Sequence, residues 1–260
     1  MGGRIECYLD ITSMYSYLGF LELLKNREAL ASHNVEIEYH PVLLGAINAE
    51  SGNGGDAGNK PPWMLPAKAT YLVYDMQRSI ARFPGLVLQA PEDLMAVSMT
   101  VAPLRALHFI KRKYPRKTFE TSLHYLFHCF WTPPNANLCP PENLATALSE
   151  VPADFGSIPA RASSTAAPLF SADEVQAIVA ATSSQEVKEQ LKAATKEALD
   201  RGAFGNPWLW VTNNRTGKAE PFFGSDRFHF VYKFLDLPFQ DVTLLSSSLE
   251  QVSTGDKPKL

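Results

Sequence analysis

Residues 5–20 read IECYLDITSMYSYLGF, and this stretch decides the fold. Ile5-Glu6-Cys7-Tyr8-Leu9 alternates as a strand does, successive side chains facing opposite sides. Asp10-Ile11-Thr12-Ser13 breaks that pattern with side chains that favour turns and helix N-caps. From Met14 onward apolar residues recur at helical spacing, through Tyr15, Leu18, Leu21 and Leu24. The order is strand, tight turn, helix, with Ser13-Met14-Tyr15-Ser16 at the helix start. A helix N-terminus offers unpaired N–H groups and the positive end of a dipole, so it stabilises an anion, a thiolate included. A redox site built on this geometry carries Cys-x-x-Cys. Here both positions are serine, which cannot shuttle electrons but can donate a hydrogen bond to a ligand's sulfur anion. The plainer reading makes Ser13 a helix cap and nothing more.

Working outward, Val35-Glu36-Ile37-Glu38-Tyr39 alternates as a second strand. With one helix between them, the two strands predict a βαβ unit, parallel and right-handed. Pro41–Gly45 reads as an apolar exit from the sheet. Ser51–Pro62, SGNGGDAGNKPP, reads as a loop, and Lys60 and Lys68 flank the Trp63–Pro66 segment that ends it. From about 67 to 201 the pattern is helical. Helices are expected over Thr70–Ala81, from Pro91-Glu92-Asp93 with a kink or split at Pro103, over the aromatic stretch Phe119–Trp131, and over Glu142–Val151. Pro152–Leu169 reads as a loop or insertion. Capping boxes at Ser171–Glu174 and Ser183–Glu186 open two more helices, the second stopped by Gly202.

The period then changes. Trp208–Thr212 and Lys218–Phe223, joined by a turn at 213–217, predict an antiparallel hairpin. Gly224-Ser225-Asp226 is expected to cap a last helix over Arg227–Leu235. Strands at the two ends of the chain must share one sheet, because neither end is stable alone. The fold class is α/β: a thioredoxin-like sheet, with a large helical domain inserted between its βαβ and ββα halves. The divisions fall at 1–62, 63–201 and 202–245, with a tail over 246–260. In such a sheet Ala203–Pro207, AFGNP, is the place for a cis bond before Pro207. That bond turns the N–H and C=O of Asn206 outward, towards an extended peptide.

Composition narrows the function. The 260 residues carry a net charge of −3 with 45% hydrophobic and 20% charged residues, ordinary for a globular chain and no sign of a nucleic-acid partner. No apolar run reads as a membrane span, and the N-terminus does not read as a signal peptide. Three cysteines, Cys7, Cys129 and Cys139, argue against a disulfide framework and for an intracellular, reducing location. His124 and His128 share a helix face but lack the glutamate of a metalloprotease helix, so they are expected on an amphipathic surface and no metal is expected.

Several of these stretches together resemble the kappa class of glutathione transferases, relatives of disulfide oxidoreductase A and of 2-hydroxychromene-2-carboxylate isomerase. They are Ser13–Phe20, Gly58–Pro62, Pro66-Ala67-Lys68, Gly202–Pro207 and Phe223–Arg227, in family order across nearly the whole chain. The resemblance implies glutathione as ligand, a small electrophile as second substrate, no metal, and a homodimer. It implies that Ser13 hydrogen-bonds the glutathione sulfur, with Met14 and Tyr15 beside it. Asn59 and Lys68 lie on the loop side of the tripeptide. Asn206, before Pro207, pairs its main chain with the cysteine residue, and Ser225 and Asp226 hold the γ-glutamyl end. The chain departs from the pattern in having Met14 where proline is usual, Asn206 where an aliphatic residue is common, and longer loops before Asn59 and over Pro152–Leu169. Alternatives are a glutathione-dependent isomerase and a glutathione-binding protein without turnover. A disulfide oxidoreductase is disfavoured because the cysteine pair is missing. The C-terminal Lys257-Pro258-Lys259-Leu260 loosely resembles a peroxisomal address, leaving peroxisome, mitochondrion and cytosol as expected locations. An electrophile pocket is expected from the helical insertion, with Trp63, Tyr71 and Phe127 in its wall.

Overall fold

A computed structural model describes residues 2–51, 65–156, 166–241 and 244. The first strand β1 (Gly3–Leu9) leads through the predicted turn into α1 (Met14–Lys25). A short α2 (Arg27–Ser32) follows before β2 (Val35–Pro41), so the crossover holds two helices rather than the expected one. Beyond β2 come α3 (Leu44–Glu50), α4 (Pro66–Ile80), α5 (Leu94–Val97), α6 (Val101–Lys113), α7 (Arg116–Trp131), α8 (Pro141–Ser149), α9 (Ala172–Ala181) and α10 (Gln185–Asp200). The chain closes with β3 (Trp208–Asn213), β4 (Lys218–Phe223) and α11 (Phe228–Phe234). The sheet order is β2-β1-β3-β4, with β1 parallel to β2 and the other pairings antiparallel. The two ends of the chain do build one mixed sheet, around the first strand.

Alternation along β1 and β3 sorts the core into two faces. Ile5, Cys7, Leu9, Leu209 and Val211 pack with α1, α7 and α11. Tyr8 and Trp208 turn to the other face, against Ile47 of α3 and Ala198 of α10. Burying a side chain such as Leu18 or Phe127 contributes about 1.5–3 kcal/mol, so the aromatic helix α7 anchors the helices to the sheet. The outer edge of β2 would leave a row of backbone carbonyls unpaired. Instead, His108, Lys111 and Arg116 reach across from α6 and α7 to the carbonyls of Pro41 (2.8 Å), Tyr39 (2.9 Å) and Ile37 (2.5 Å). Alternate carbonyls of an edge strand point the same way, and here each meets a donor from the helical block, which blunts the edge.

Several local expectations need correction. Leu44–Glu50 is helical, not a plain exit from the sheet. Pro91-Glu92-Asp93 opens only the single turn α5, capped by the Asp93 carboxylate. The break falls at 98–100, and Pro103 sits in the first turn of α6, where its missing N–H costs no helical bond. Ser184, not Ser183, caps α10, whereas the Ser171–Glu174 capping box forms as expected. No side chain caps α11: its N-cap is Arg227, so Ser225 and Asp226 lie in the loop before it. His124 is not on a surface. It is 1% exposed, between the rings of Tyr17, Phe20 and Phe155. Leu94–Lys113 is long and apolar enough to pass for a membrane span by length and composition. In the fold it is two helices, and Leu104, Leu107 and Ile110 lie in the core.

Candidate functional site

The site is built where three chain segments meet at one end of the sheet. Ser13 caps α1, and its hydroxyl oxygen accepts the Ser16 N–H at 3.1 Å. The same hydroxyl donates to the carbonyl of Asn206 at 3.2 Å, across 193 residues of sequence. The Asn206–Pro207 bond is cis. Pro207 in turn offers its carbonyl to the Gly224 N–H at 3.1 Å, which ties in the loop carrying Ser225 and Asp226. Gly19 makes the close fit possible. A Cβ there would stand 3.1 Å from the Pro207 ring, which would have to give by a few tenths of an ångström, and in ordinary contact, 4.0 Å, with Ser225 Cβ. Gly224 has φ +101, a conformation other residues rarely adopt, and a Cβ on it would strike the Asp226 carboxylate at 2.9 Å.

Ser13, Asn206 and Ser225 are 7%, 6% and 2% exposed, so the corner is a tightly packed one. Met14 is buried beside it and Asp226 is exposed. The start of a helix leaves the N–H groups of Met14 and Tyr15 without intrahelical acceptors. The Tyr15 hydroxyl donates to Asp75 of α4 at 2.5 Å; burial first, then that carboxylate, raise its pKa and keep it neutral. Lys68 is exposed on the first turn of α4. Asn59, Lys60 and Trp63 lie outside the described residues. Phe127 is fully buried, stacked on Tyr17 at 5.0 Å, and so does not line an electrophile pocket. Tyr71 is exposed on α4, its hydroxyl 3.3 Å from Asp75.

Beneath the corner lies Asp10, fully buried. Its carboxylate accepts from Thr12 N–H (3.1 Å), Leu44 N–H (2.8 Å) and the Thr100 hydroxyl (2.6 Å). Its own carbonyl accepts from Ser13 N–H at 3.0 Å. One side chain thus fixes the turn before α1, the start of α3 and the approach to α6. Burial pushes the Asp10 carboxyl up to about 6, against the pull of those donors. Sequence marks Asp10 only as a turn residue and does not mark Arg82, which reaches the same loop as Ser225. Thr12 apart, the partners that matter (Leu44 and Thr100 for Asp10, Ser225 for Arg82) are 34 to 143 residues away, and no local period signals them. Gly19 within an apolar helix was a readable sign of close backbone approach.

Other polar clusters have other partners. Glu6, Glu38 and His40 bring possible cation ligands within 4.8 Å of one another. Arg201 already pairs with Glu6 at 3.0 Å, and Lys111 with Glu38 at 2.8 Å, so this is an ion-pair network. Cys7, Cys129 and Cys139 are free thiols. Burial pushes Cys7 far up and Cys129 up to about 12, which keeps both protonated. Two cavities, of about 240 and 410 Å³, lie along the edge of β2 and between α3, α6 and α10. Neither is lined by Ser13, Asn206 or Ser225, so neither of these two cavities is the corner.

Comparison with known proteins agrees with this geometry. The family model of the DsbA-like thioredoxin domain matches residues 4–236. Glutathione S-transferase kappa 1 of Homo sapiens is 25% identical over 234 residues, which covers 89% of this chain and 90% of that protein. Glutathione S-transferase kappa 1 of Caenorhabditis elegans is 26% identical over 238 residues, covering 90% and 92%. Among solved structures, a 2-hydroxychromene-2-carboxylate isomerase superposes with a TM-score of 0.66 at 19% identity, covering 90% of this chain and 94% of that one. The likeness to kappa-class glutathione transferases inferred from the motifs therefore holds along nine-tenths of the chain. With the mixed sheet, the cis bond before Pro207 and a family match over most of its length, this chain belongs to the DsbA-like thioredoxin domain family.

Proposed function

We propose that this protein is a glutathione transferase of kappa type, which holds glutathione as its thiolate at the Ser13 corner and adds it to a small electrophile. The observation that carries the reading is a serine hydroxyl at the N-cap of α1, in hydrogen-bond contact with the residue before a cis-proline. A free thiol has a pKa of about 8.5, and lowering it by two units takes about 2.7 kcal/mol. The Ser13 hydroxyl, the N–H groups of Met14 and Tyr15, and the helix dipole together are of that order. The Asn206 backbone pairs with the cysteine residue of the tripeptide, next to Pro207. Ser225 and Asp226 take the γ-glutamyl end, and Lys68 approaches from the loop side. The thiolate attacks an electrophilic carbon; a C–S bond forms and the leaving group departs with its electron pair, or the electrons move into a conjugated acceptor. Serine at 13 and 16 rules out a dithiol cycle at this corner.

A glutathione-dependent isomerisation uses the same thiolate, adding and then leaving. Product analysis across haloaromatic, epoxide and chromene-type electrophiles separates the two: a stable conjugate marks transfer, and recovered glutathione with a rearranged product marks isomerisation. Glutathione that binds with a lowered thiol pKa yet reacts with none of them would leave a binding protein. Failure to bind glutathione at all would refute the reading. A homodimer goes with it, and the exposed Tyr71 and Tyr74, three residues apart on α4, offer an aromatic face for a second copy. An intracellular location suits the three free thiols.

A further inference from the structure

Arg82 lies just past the end of α4, far in sequence from every residue of the corner. Its guanidinium nonetheless reaches into the site. Nη1 donates to the carbonyl of Ser225 at 2.7 Å, and Nη2 donates to Glu22 Oε2 of α1 at 2.9 Å. Glu22 is itself held, through Oε1, by the Asn26 amide at 2.9 Å. A rigid planar fork therefore spans two elements, with one prong on the loop before α11 and the other on α1.

The peptide bond between Ser225 and Asp226 is not among the cis bonds of the described residues. In a trans peptide the carbonyl and the following N–H point in opposite directions. The hydrogen bond that fixes Ser225 C=O therefore also aims the Asp226 N–H, away from Arg82. The same loop is held from the other side by Gly224 N–H, which donates to Pro207 C=O at 3.1 Å. The loop stands at a set distance from the start of α1 because it is gripped at both ends.

We infer that Arg82 is a positioning residue for the amino-acid headgroup of the ligand. Through Ser225 and Asp226 it makes the site selective for a thiol peptide carrying a free γ-linked α-amino acid. This rests on the glutathione reading above and deepens it. The helical block then contributes to ligand choice through a residue that need not touch the ligand, while the sulfur end is governed separately by Ser13.

The two ends can be tested apart with glutathione and cysteinylglycine, which share the thiol residue and differ by the γ-glutamyl group. Arg82→Met keeps the aliphatic stem and removes the fork; Arg82→Lys keeps the charge and can serve one partner but not both. The expected result is a preference for glutathione over cysteinylglycine that falls about tenfold in Arg82→Met and partly recovers in Arg82→Lys. The pKa of the bound thiol should stay that of the wild type with either ligand. Equal losses for both ligands would mean a general structural role and overturn the inference. So would an undiminished preference in Arg82→Met, or in Arg82→Lys should the Met variant not fold. A wild type that binds both ligands alike sinks this inference alone, and one that binds neither sinks the glutathione reading with it.

Discussion

Removing the hydroxyl at position 13 should have a limited, calculable effect. Without ligand the Ser13 hydroxyl already makes two hydrogen bonds, donating to Asn206 C=O at 3.2 Å and accepting from Ser16 N–H at 3.1 Å. It has one proton, so donating to a sulfur anion means giving up Asn206. The gain is a difference between bonds: a charge-assisted hydrogen bond contributes about 1.5–3 kcal/mol and a neutral one about 0.5–1.5. The net is about 1–1.5 kcal/mol, or about one pKa unit of the bound thiol. Ser13→Ala should therefore raise that pKa by about one unit, lower turnover at neutral pH to match, and leave glutathione affinity closer to intact. The N–H groups and dipole of α1 keep the rest. The same substitution removes a helix cap, at about 1 kcal/mol, which lowers Tm by about 2–4 °C in a chain of this size. Ser13→Gly separates the two effects, because glycine costs a cap only a few tenths of a kcal/mol. Both variants should show the same rise in thiol pKa, followed by thiolate ultraviolet absorbance against pH, but different losses of Tm. If the bound thiol titrates as in the wild type in both, the hydroxyl is a cap alone and the proposed role of Ser13 is wrong.

Two further expectations concern the groups around that corner. Asp10 has its pKa raised by burial from an ordinary 3.8 to about 6. For a raised acid, the folded state is favoured while the group is protonated, and that advantage is lost as pH rises from about 4 through 6. The two-unit shift corresponds to about 3 kcal/mol. Urea unfolding of wild type and Asp10→Asn should diverge by about that amount between those pH values. Parallel pH profiles would show that the carboxyl does not titrate there, and His108, held down to about 4 by burial, contributes equally to both proteins. Asn206 carries a buried amide whose Oδ1 and Nδ2 have no hydrogen-bond partner among the described residues. An unsatisfied buried polar group costs about 1–3 kcal/mol, so Asn206→Leu should stabilise the ligand-free protein by about that much, read from the urea midpoint. Because the backbone would do the pairing, glutathione affinity should change by less than about threefold; a destabilised variant would mean that the amide is satisfied after all.

Sequence alone determined the pieces whose causes are local. Alternation in 5–9 and 35–39, the hydroxyl-rich turn at 10–13, the helical recurrence from Met14, the hairpin over 208–223 and the proline after Asn206 gave the sheet, the first helix and the cis bond their places. The fold class followed because strands at both ends of a chain can be stable only together. Tertiary structure alone decided which faces were covered and which distant groups met. His124 has the helical spacing of a surface residue and became core because α7 packs on α1 with that side inward. Phe127, a plausible pocket wall by composition, went the same way. The cap expected from Gly224-Ser225-Asp226 failed because α11 starts at Phe228, not Arg227, leaving Ser225 in a loop held by Arg82. Hydrogen bonds from Ser13 to Asn206, from Thr100 to Asp10 and from Arg82 to Ser225 join residues 193, 90 and 143 positions apart. A period of two or of 3.6 records only which way neighbouring side chains point, whereas a site assembled by chain crossing depends on where whole elements come to rest.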